Sequence, residues 1–395
     1  MTDVSAATPR AARRNRFAGF GLPGIMTRQD FLGQTLFVLT VLAILLLVAI
    51  SIDLARYFDQ VMSAVADGGP IARAALLAHY LGLRIVDILT RLLPIGVFVG
   101  VLMFEIWSIL MRRRAIQWVS GRHPLRVLLP AAAVGILFGT LQYRLDVDWR
   151  PAAVLKQAEE KLGAYGERYE RDRIRKDVWF ITEDRIVHAH VRYGPPAELI
   201  DVDLFRLDRD GRIREVVRAE RAEPTRLAYL WRFERATRWV RDPDNPAVLR
   251  ISSGAAQELV PIQLHPLAVT YLGLPAKYIP DEDLRAIVES GTDMLIGADH
   301  RVWLEVRRAN ALLPVAMALL AVTVSLFAGA SRPSLGVLIV CALAGYTVHI
   351  GTRVFVAAGE LENLSPMIAA WAPVLATFAA IPVLAAIGAL RRWRA

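Results

Sequence analysis

The sequence predicts an α-helical membrane bundle of six transmembrane helices, with an all-β domain inserted between spans 3 and 4. Three observations carry this. Of 395 residues, 55% are hydrophobic while 22% are charged, and mean hydropathy is +0.37. A water-soluble globule of this size seldom combines those values, whereas a membrane protein with one sizeable aqueous domain does. Several charge-free runs are long enough to cross a bilayer, and the stretch between them, residues 147–300, is dense in charge and alternates apolar with polar side chains.

Residues 1–30 form a basic N-terminal segment holding Arg10, Arg13, Arg14, Arg16 and Arg28. Phe31–Ile52 then carries no charge. At helical rise it covers roughly 33 Å, enough for a hydrocarbon core of about 30 Å. The run is too long for a signal-peptide core and reads as a retained first span. Leu83–Met111 is apolar but interrupted by Arg84, Asp87, Arg91 and Glu105, and Val127–Tyr143 is charge-free, so residues 31–146 hold spans 1–3. Ala309–Ser331, Pro333–Thr352 and Asn363–Leu390 supply spans 4–6 within residues 301–395, parted by Arg332 and Arg353.

Net charge is +9 and is carried almost wholly by arginine; lysine occurs at Lys156, Lys161, Lys176 and Lys277. Nucleic acid is disfavoured as a partner, because the arginines cluster at the ends of apolar runs, as topology determinants do. They flank span 1 on its N-terminal side, occur at Arg112, Arg113, Arg114, Arg122 and Arg126 between spans 2 and 3, at Arg332 between spans 4 and 5, and at Arg391, Arg392 and Arg394. By the positive-inside rule these segments are cytoplasmic, so both termini are inside. The loop 53–81 and the insert 147–300 then lie outside. Cys341 is the one cysteine, which excludes an intrachain disulfide.

Within the insert, "DVDLFRLDRDGRIREVVRAERAEP" alternates around an Asp210-Gly211 turn, a hairpin signal. "VWFITEDRIVHAHVRY" and "LAYLWRFERATRWV" have the same period of two. Antiparallel β structure is expected, with helical or turn-rich connectors at Tyr165–Arg175 and Pro280–Gly291.

Two constellations carry functional content. Arg84, Asp87 and Arg91 share one face of a helix inside span 2, while Arg56 and Arg353 sit at similar depth near the ends of spans 1 and 5. Charges in a bilayer are costly without a partner or water, and guanidinium pairs well with phosphate. These residues are candidate contacts for an anionic lipid head group; the competing reading is an internal Arg84–Asp87 pair with Arg56 and Arg353 snorkelling. The second is the segment 111–122, "MRRRAIQWVSGR", whose Ala115, Ile116 and Val119 make a short apolar face among cations. It suits docking on a soluble partner, lying on anionic lipid, or enforcing topology. There is no phosphate-binding G-x-x-x-x-G-K-[ST] motif and no G-x-S-x-G elbow. His188 and His190 share a strand face without an evident third metal ligand. The chain is therefore expected to bind no cofactor and to catalyse nothing itself.

With this layout the sequence resembles the YjgP/YjgQ permease family, the LptF and LptG subunits of the lipopolysaccharide export ABC transporter. "FLGQTLF" and "ARYFDQ" bound span 1 as in LptG, and "LLPIGVFVGVLM", "WVSGR", "VWFITEDRIVHAH", "RRANALLPVAMALLAVTVSLFAG" and "LSPMIAAWAP" follow in family order. The resemblance implies a periplasmic β-jellyroll-like domain and an inner-membrane location in a Gram-negative bacterium. It implies a cavity for lipopolysaccharide shared with an LptF-like second permease, an LptB-like ATPase dimer that holds the ATP, and LptC-like and LptA-like bridge proteins. It makes the segment between spans 2 and 3 a coupling helix, with Glu105, Arg113, Ile116, Val119, Ser120 and Gly121 as coupling residues. The family carries an acidic residue seven positions before the serine of the "SG" pair. Here the serine is Ser120 and the position holds Arg113, with Glu105 the nearest preceding acid.

Overall fold

The computed structural model describes residues 24–63, 69–119, 124–169, 174–181, 184–192, 194, 197–225, 227, 229–242, 249–253, 256–291, 297–326 and 334–394. Among them, six helices are long and apolar enough to cross a membrane. They are α1 (Ile25–Ser63), α2 (Pro70–Leu110), α4 (Leu128–Arg144, running on through a π-helical turn, Leu145–Trp149, into α5, Arg150–Glu159), α9 (Asp299–Ser325), α10 (Leu335–Glu360) and α11 (Pro366–Arg394). A short α3 (Arg113–Val119) follows α2.

Charge marks where apolar surface ends, not where a helix ends, and two expected boundaries shift for that reason. The segment 53–81, expected as a loop, is largely helical: α1 runs on to Ser63 and α2 begins at Pro70. With 41 residues, α2 extends about 60 Å, twice the hydrocarbon core. Its N-terminal part, with Tyr80 and Arg84, packs on the matching extension of α1. Likewise residues 147–300 open as helix. After α6 (Gly163–Arg168), strands occupy Ile174 to Pro261, and the segment closes with α7 (Pro266–Thr270) and α8 (Asp281–Glu289).

The bundle core is built where side chains are absent. A Cβ on Gly100 would stand 2.5 Å from the Val38 Cα, and one on Gly135 2.5 Å from the Val315 Cα. The α1–α2 and α4–α9 pairs thus meet backbone to backbone, as small residues allow in membranes. Phe98, Val101, Leu313 and Met317 fill the centre. Pro94 within α2 has no N–H to give the Thr90 carbonyl one turn earlier. Gln142 of α4 supplies the missing donor, its Nε2 lying 3.2 Å from Thr90 O.

The strands are β1 (Ile174–Ile181), β2 (Arg185–Arg192), β3 (Glu198–Leu207), β4 (Ile213–Pro224), β5 (Leu230–Glu234), β6 (Thr237–Arg241), β7 (Leu249–Ser253) and β8 (Gln257–Pro261). All pairs are antiparallel, in the order β1-β2-β3-β4-β5-β8, with β6 bridging β4 and β7. The expected β3–β4 hairpin forms at Asp210-Gly211: Gly211 takes φ +73°, and the Asp208 carboxylate accepts from the amides of Asp210 (2.9 Å) and Arg212 (2.8 Å). Period-two alternation turns Val187, Ala189 and Val191 inward beside Leu204, Val217, Trp231 and Phe233, and α8 adds Leu284 and Ile287.

The close approach at Gly100 is testable. Gly100→Ala is expected to cost about 2 kcal/mol through overpacking and to lower Tm in detergent. Gly82→Ala, where nothing lies within 4 Å, should leave Tm unchanged or slightly raised. Equal Tm for both variants would refute the backbone contact.

Candidate functional site: a cationic cavity above a buried carboxylate

Asp87 is 0% exposed and organises this end of the bundle. Arg91, one turn on, pairs with its Oδ2; Arg84 Nη1 lies 3.0 Å and the Tyr165 hydroxyl 2.7 Å from the same oxygen. Arg150 Nε lies 3.0 Å from Oδ1. Arg84 turns its other nitrogens on Asp53 of α1, at 2.5 and 2.8 Å, and Tyr80 donates to the same carboxylate at 2.6 Å. Arg150 also lies 3.7 Å from Asp146, which accepts from Gln142 (2.8 Å) and Asn310 (3.0 Å). Tyr165 and Tyr278 meet at 3.0 Å. One buried network thus ties α1, α2, α4, α5, α6 and α9 together. Burial, then the nearby Asp87 carboxylate, pushes the Tyr165 hydroxyl up from its ordinary value, so it stays a donor at neutral pH.

Above this network lies a cavity of about 640 Å³ between α1, α2, α10 and the segment around Tyr278. Arg56, Arg84, Arg91, Arg168, Lys277 and Arg353 line it, against the carboxylate of Asp53, already held by Arg84. Among the described residues Arg56 and Arg353 have no carboxylate within 4.0 Å. Fixed cations on low-dielectric walls without matching carboxylates attract an anion and repay its desolvation.

The lipopolysaccharide export system permease LptF/LptG family matches residues 31–386. The chain belongs to that family. No curated protein matches it. It is accordingly a multi-pass inner-membrane permease of a transporter family rather than an enzyme.

Of the residues expected at the lipid site, Arg56, Arg84, Arg91 and Arg353 share the permease cavity, whereas Asp87 lies beneath it and positions Arg84 and Arg91. Sequence reading missed Asp53, Arg150, Tyr165, Lys277 and Tyr278. Tyr165, Lys277 and Tyr278 sit in segments without membrane hydropathy, Arg150 lies past the charge-free run of span 3, and Asp53 opens the segment expected as the loop 53–81. Spacing within α2 signalled only Arg84, Asp87 and Arg91.

The permease has a second buried cluster at the α2–α3 corner. Arg114, 2% exposed, pairs with Glu105 through Nη2, lies 2.8 Å from it through Nε, 3.3 Å from Asp30 and 2.8 Å from Gln117; Gln34 donates to Glu105 at 3.0 Å. Glu105, at 1% exposure, does not face outward as a docking acid. Arg113 turns back to Gln29 (3.0 Å) and stands 3.9 Å from Asp30. Ile116 and Val119 are 64% and 90% exposed. Ser120 and Gly121 lie outside the described residues. His188 and His190 lie on β2 with ring centres 6.2 Å apart, and among the described residues no three metal-binding side chains converge.

Asp87→Asn removes the charge facing three guanidinium groups, and is expected to cost about 3–5 kcal/mol. Thermal unfolding in detergent and membrane yield should fall sharply, whereas Arg91→Gln, whose side chain is 40% exposed, should fall less. A Tm for Asp87→Asn within a degree of wild type would remove Asp87 from this role.

Proposed function

We propose that this chain is the LptG-like permease of an ABC-type exporter that takes lipopolysaccharide from the outer leaflet of the inner membrane. The observation that carries the reading is the cationic cavity at the junction of spans 1, 2 and 5 with the root of the β-strand segment. Arg56 and Arg353, with no carboxylate within 4.0 Å among the described residues, flank a pair, Arg84 and Arg91, held from below by Asp87. Such a site suits the phosphates of an amphiphile whose acyl chains lie along open apolar flanks. Spans 1 and 5 have such flanks: Leu36, Leu47, Ile52, Val340 and Val354 are all more than half exposed. A partner permease of the LptF type would close the other side of the cavity.

In this reading both termini are cytoplasmic, and the β-strand segment is a periplasmic jellyroll that hands the lipid to LptC-like and LptA-like bridge proteins. Open strand edges suit that transfer. An LptB-like ATPase dimer binds and hydrolyses ATP. Exposed Ile116 and Val119 on α3 supply the docking face, and the Arg114 cluster makes α3 move with spans 1 and 2. Because Arg113 engages Gln29 and lies near Asp30, its departure from the family acid leaves docking to the apolar face.

Native mass spectrometry on the complex purified gently from its own membranes is expected to show an ATPase dimer, a second six-span permease and a lipopolysaccharide-sized adduct. Recovery of the chain alone would sink the exporter reading. Arg56→Glu should abolish lipid-stimulated ATPase activity while the complex still assembles; unchanged stimulation would exclude Arg56 from the lipid path. Val119→Asp should release the ATPase from the permeases, and intact co-purification would show that α3 docks elsewhere.

A further inference from the structure

Arg307, near the start of α9, is 1% exposed and does not line the large cavity. A buried guanidinium is costly unless its donors are used, and this one spends them on a single short turn. Its Nη1 lies 3.1 Å from Asp281 Oδ1, at the first residue of α8. Its Nη2 donates to the Ile279 carbonyl and lies 3.4 Å from the Ala276 carbonyl. Those two carbonyls bracket the 3-10 turn Ala276–Tyr278.

Three parts of the molecule meet at that turn. Ala276 and Ile279, both 0% exposed, belong to the core of the β-strand segment. Tyr278 meets Tyr165 at 3.0 Å and has the Arg150 guanidinium 5.0 Å from the centre of its ring. Lys277, between them, stands in the cavity wall. Its Nζ lies 5.1 Å from the centre of the Tyr278 ring and 5.9 Å from that of Trp303. Trp303 precedes Arg307 by four residues, so both project from one face of α9, and its Nε1 is fixed 2.6 Å from Glu360. One helix face therefore holds the turn twice: Arg307 grips its backbone, and Trp303 supports the ammonium group it presents.

Aromatic rings steady a cation without neutralising it, because a quadrupole carries no net charge. Among the described residues Lys277 has no carboxylate within 4.0 Å, so its charge stays available to the cavity. A lysine is a compact point charge on a flexible stem. Where that charge stands is set by the turn and the two rings rather than by the side chain itself.

We propose that Arg307 is a positioning residue for the lipid cavity: without touching the lipid, it holds the Ala276–Tyr278 turn so that the Lys277 ammonium meets the anionic head group. The proposal rests on the lipid-cavity reading above and adds a residue that acts from outside the cavity wall.

The test is a double-mutant cycle on the purified complex, read by equilibrium binding of lipopolysaccharide. Lys277→Gln should weaken binding roughly tenfold, as loss of a charge-assisted hydrogen bond does. Arg307→Lys keeps the charge and loses the planar fork, so its effect reports geometry; binding should weaken severalfold. The two changes together should weaken binding no more than Lys277→Gln alone. Asp281→Asn loosens one leg of the clamp and leaves both carbonyl contacts. Carried through the same cycle, it should give a smaller loss that again vanishes beside Lys277→Gln, which keeps the test decisive if Arg307→Lys assembles poorly. A merely structural Arg307 would lower Tm and multiply its loss with that of Lys277→Gln. Multiplied losses, or wild-type binding in every Arg307 and Asp281 variant that assembles, would overturn the positioning role. Wild-type binding by Lys277→Gln, with Arg56→Glu weakened, would overturn it as well and leave the cavity standing. Wild-type binding by both Lys277→Gln and Arg56→Glu would overturn the lipid-cavity reading, and the proposal with it.

Discussion

The structure depends first on a carboxylate that cannot leave. Asp87 is wholly buried and faces the guanidinium groups of Arg84, Arg91 and Arg150 and the hydroxyl of Tyr165. Bringing ions out of water is costly, and the arrangement persists because each member is bound by several others. What it provides is position: arginines from two helices are held at the floor of a cavity, one of them drawn in turn to Asp53 on a third helix. In the cationic surface above, Arg84 and Arg91 are held by Asp87, while Arg56 and Arg353 have no carboxylate within 4.0 Å among the described residues.

A parallel arrangement closes the opposite end. Arg114 is buried against Glu105 and Asp30, so the short helix α3 is clamped to α1 and α2 rather than tethered to them. Seven helical residues would have little stability alone, since helix nucleation is unfavourable. The charge cluster explains why this corner holds its shape while Ile116 and Val119 remain turned to the exterior. Between the two polar ends, glycine-mediated contacts hold spans 1, 2, 3 and 4. Span 5 packs on the bundle through buried Cys341, Gly345 and Gly359, with Val337, Ala344, Val348 and Val356 against the same core.

Much of this was legible along the chain. The spans, the hairpin at Asp210-Gly211 and the β alternation follow from local rules of hydropathy, turn chemistry and side-chain period, each acting over a few residues. The arginine-rich run after span 2 was legible as a special place, but its three members look alike in sequence. Structure separates them: Arg112 adopts φ +57° to turn the chain, Arg113 reaches to Gln29, and Arg114 is buried.

By itself, the sequence determined a six-span membrane protein with an antiparallel β segment, the resemblance to a permease family, and the presence of arginines where only a partner or an anion would tolerate them. Only the tertiary structure decided which arginines are spent on the fold and which face the cavity. The reason is physical: Asp53, Asp146, Arg150 and Tyr165 lie far from Arg84 and Asp87 in sequence, and electrostatic pairing depends on distance and burial, which no local pattern of residues encodes.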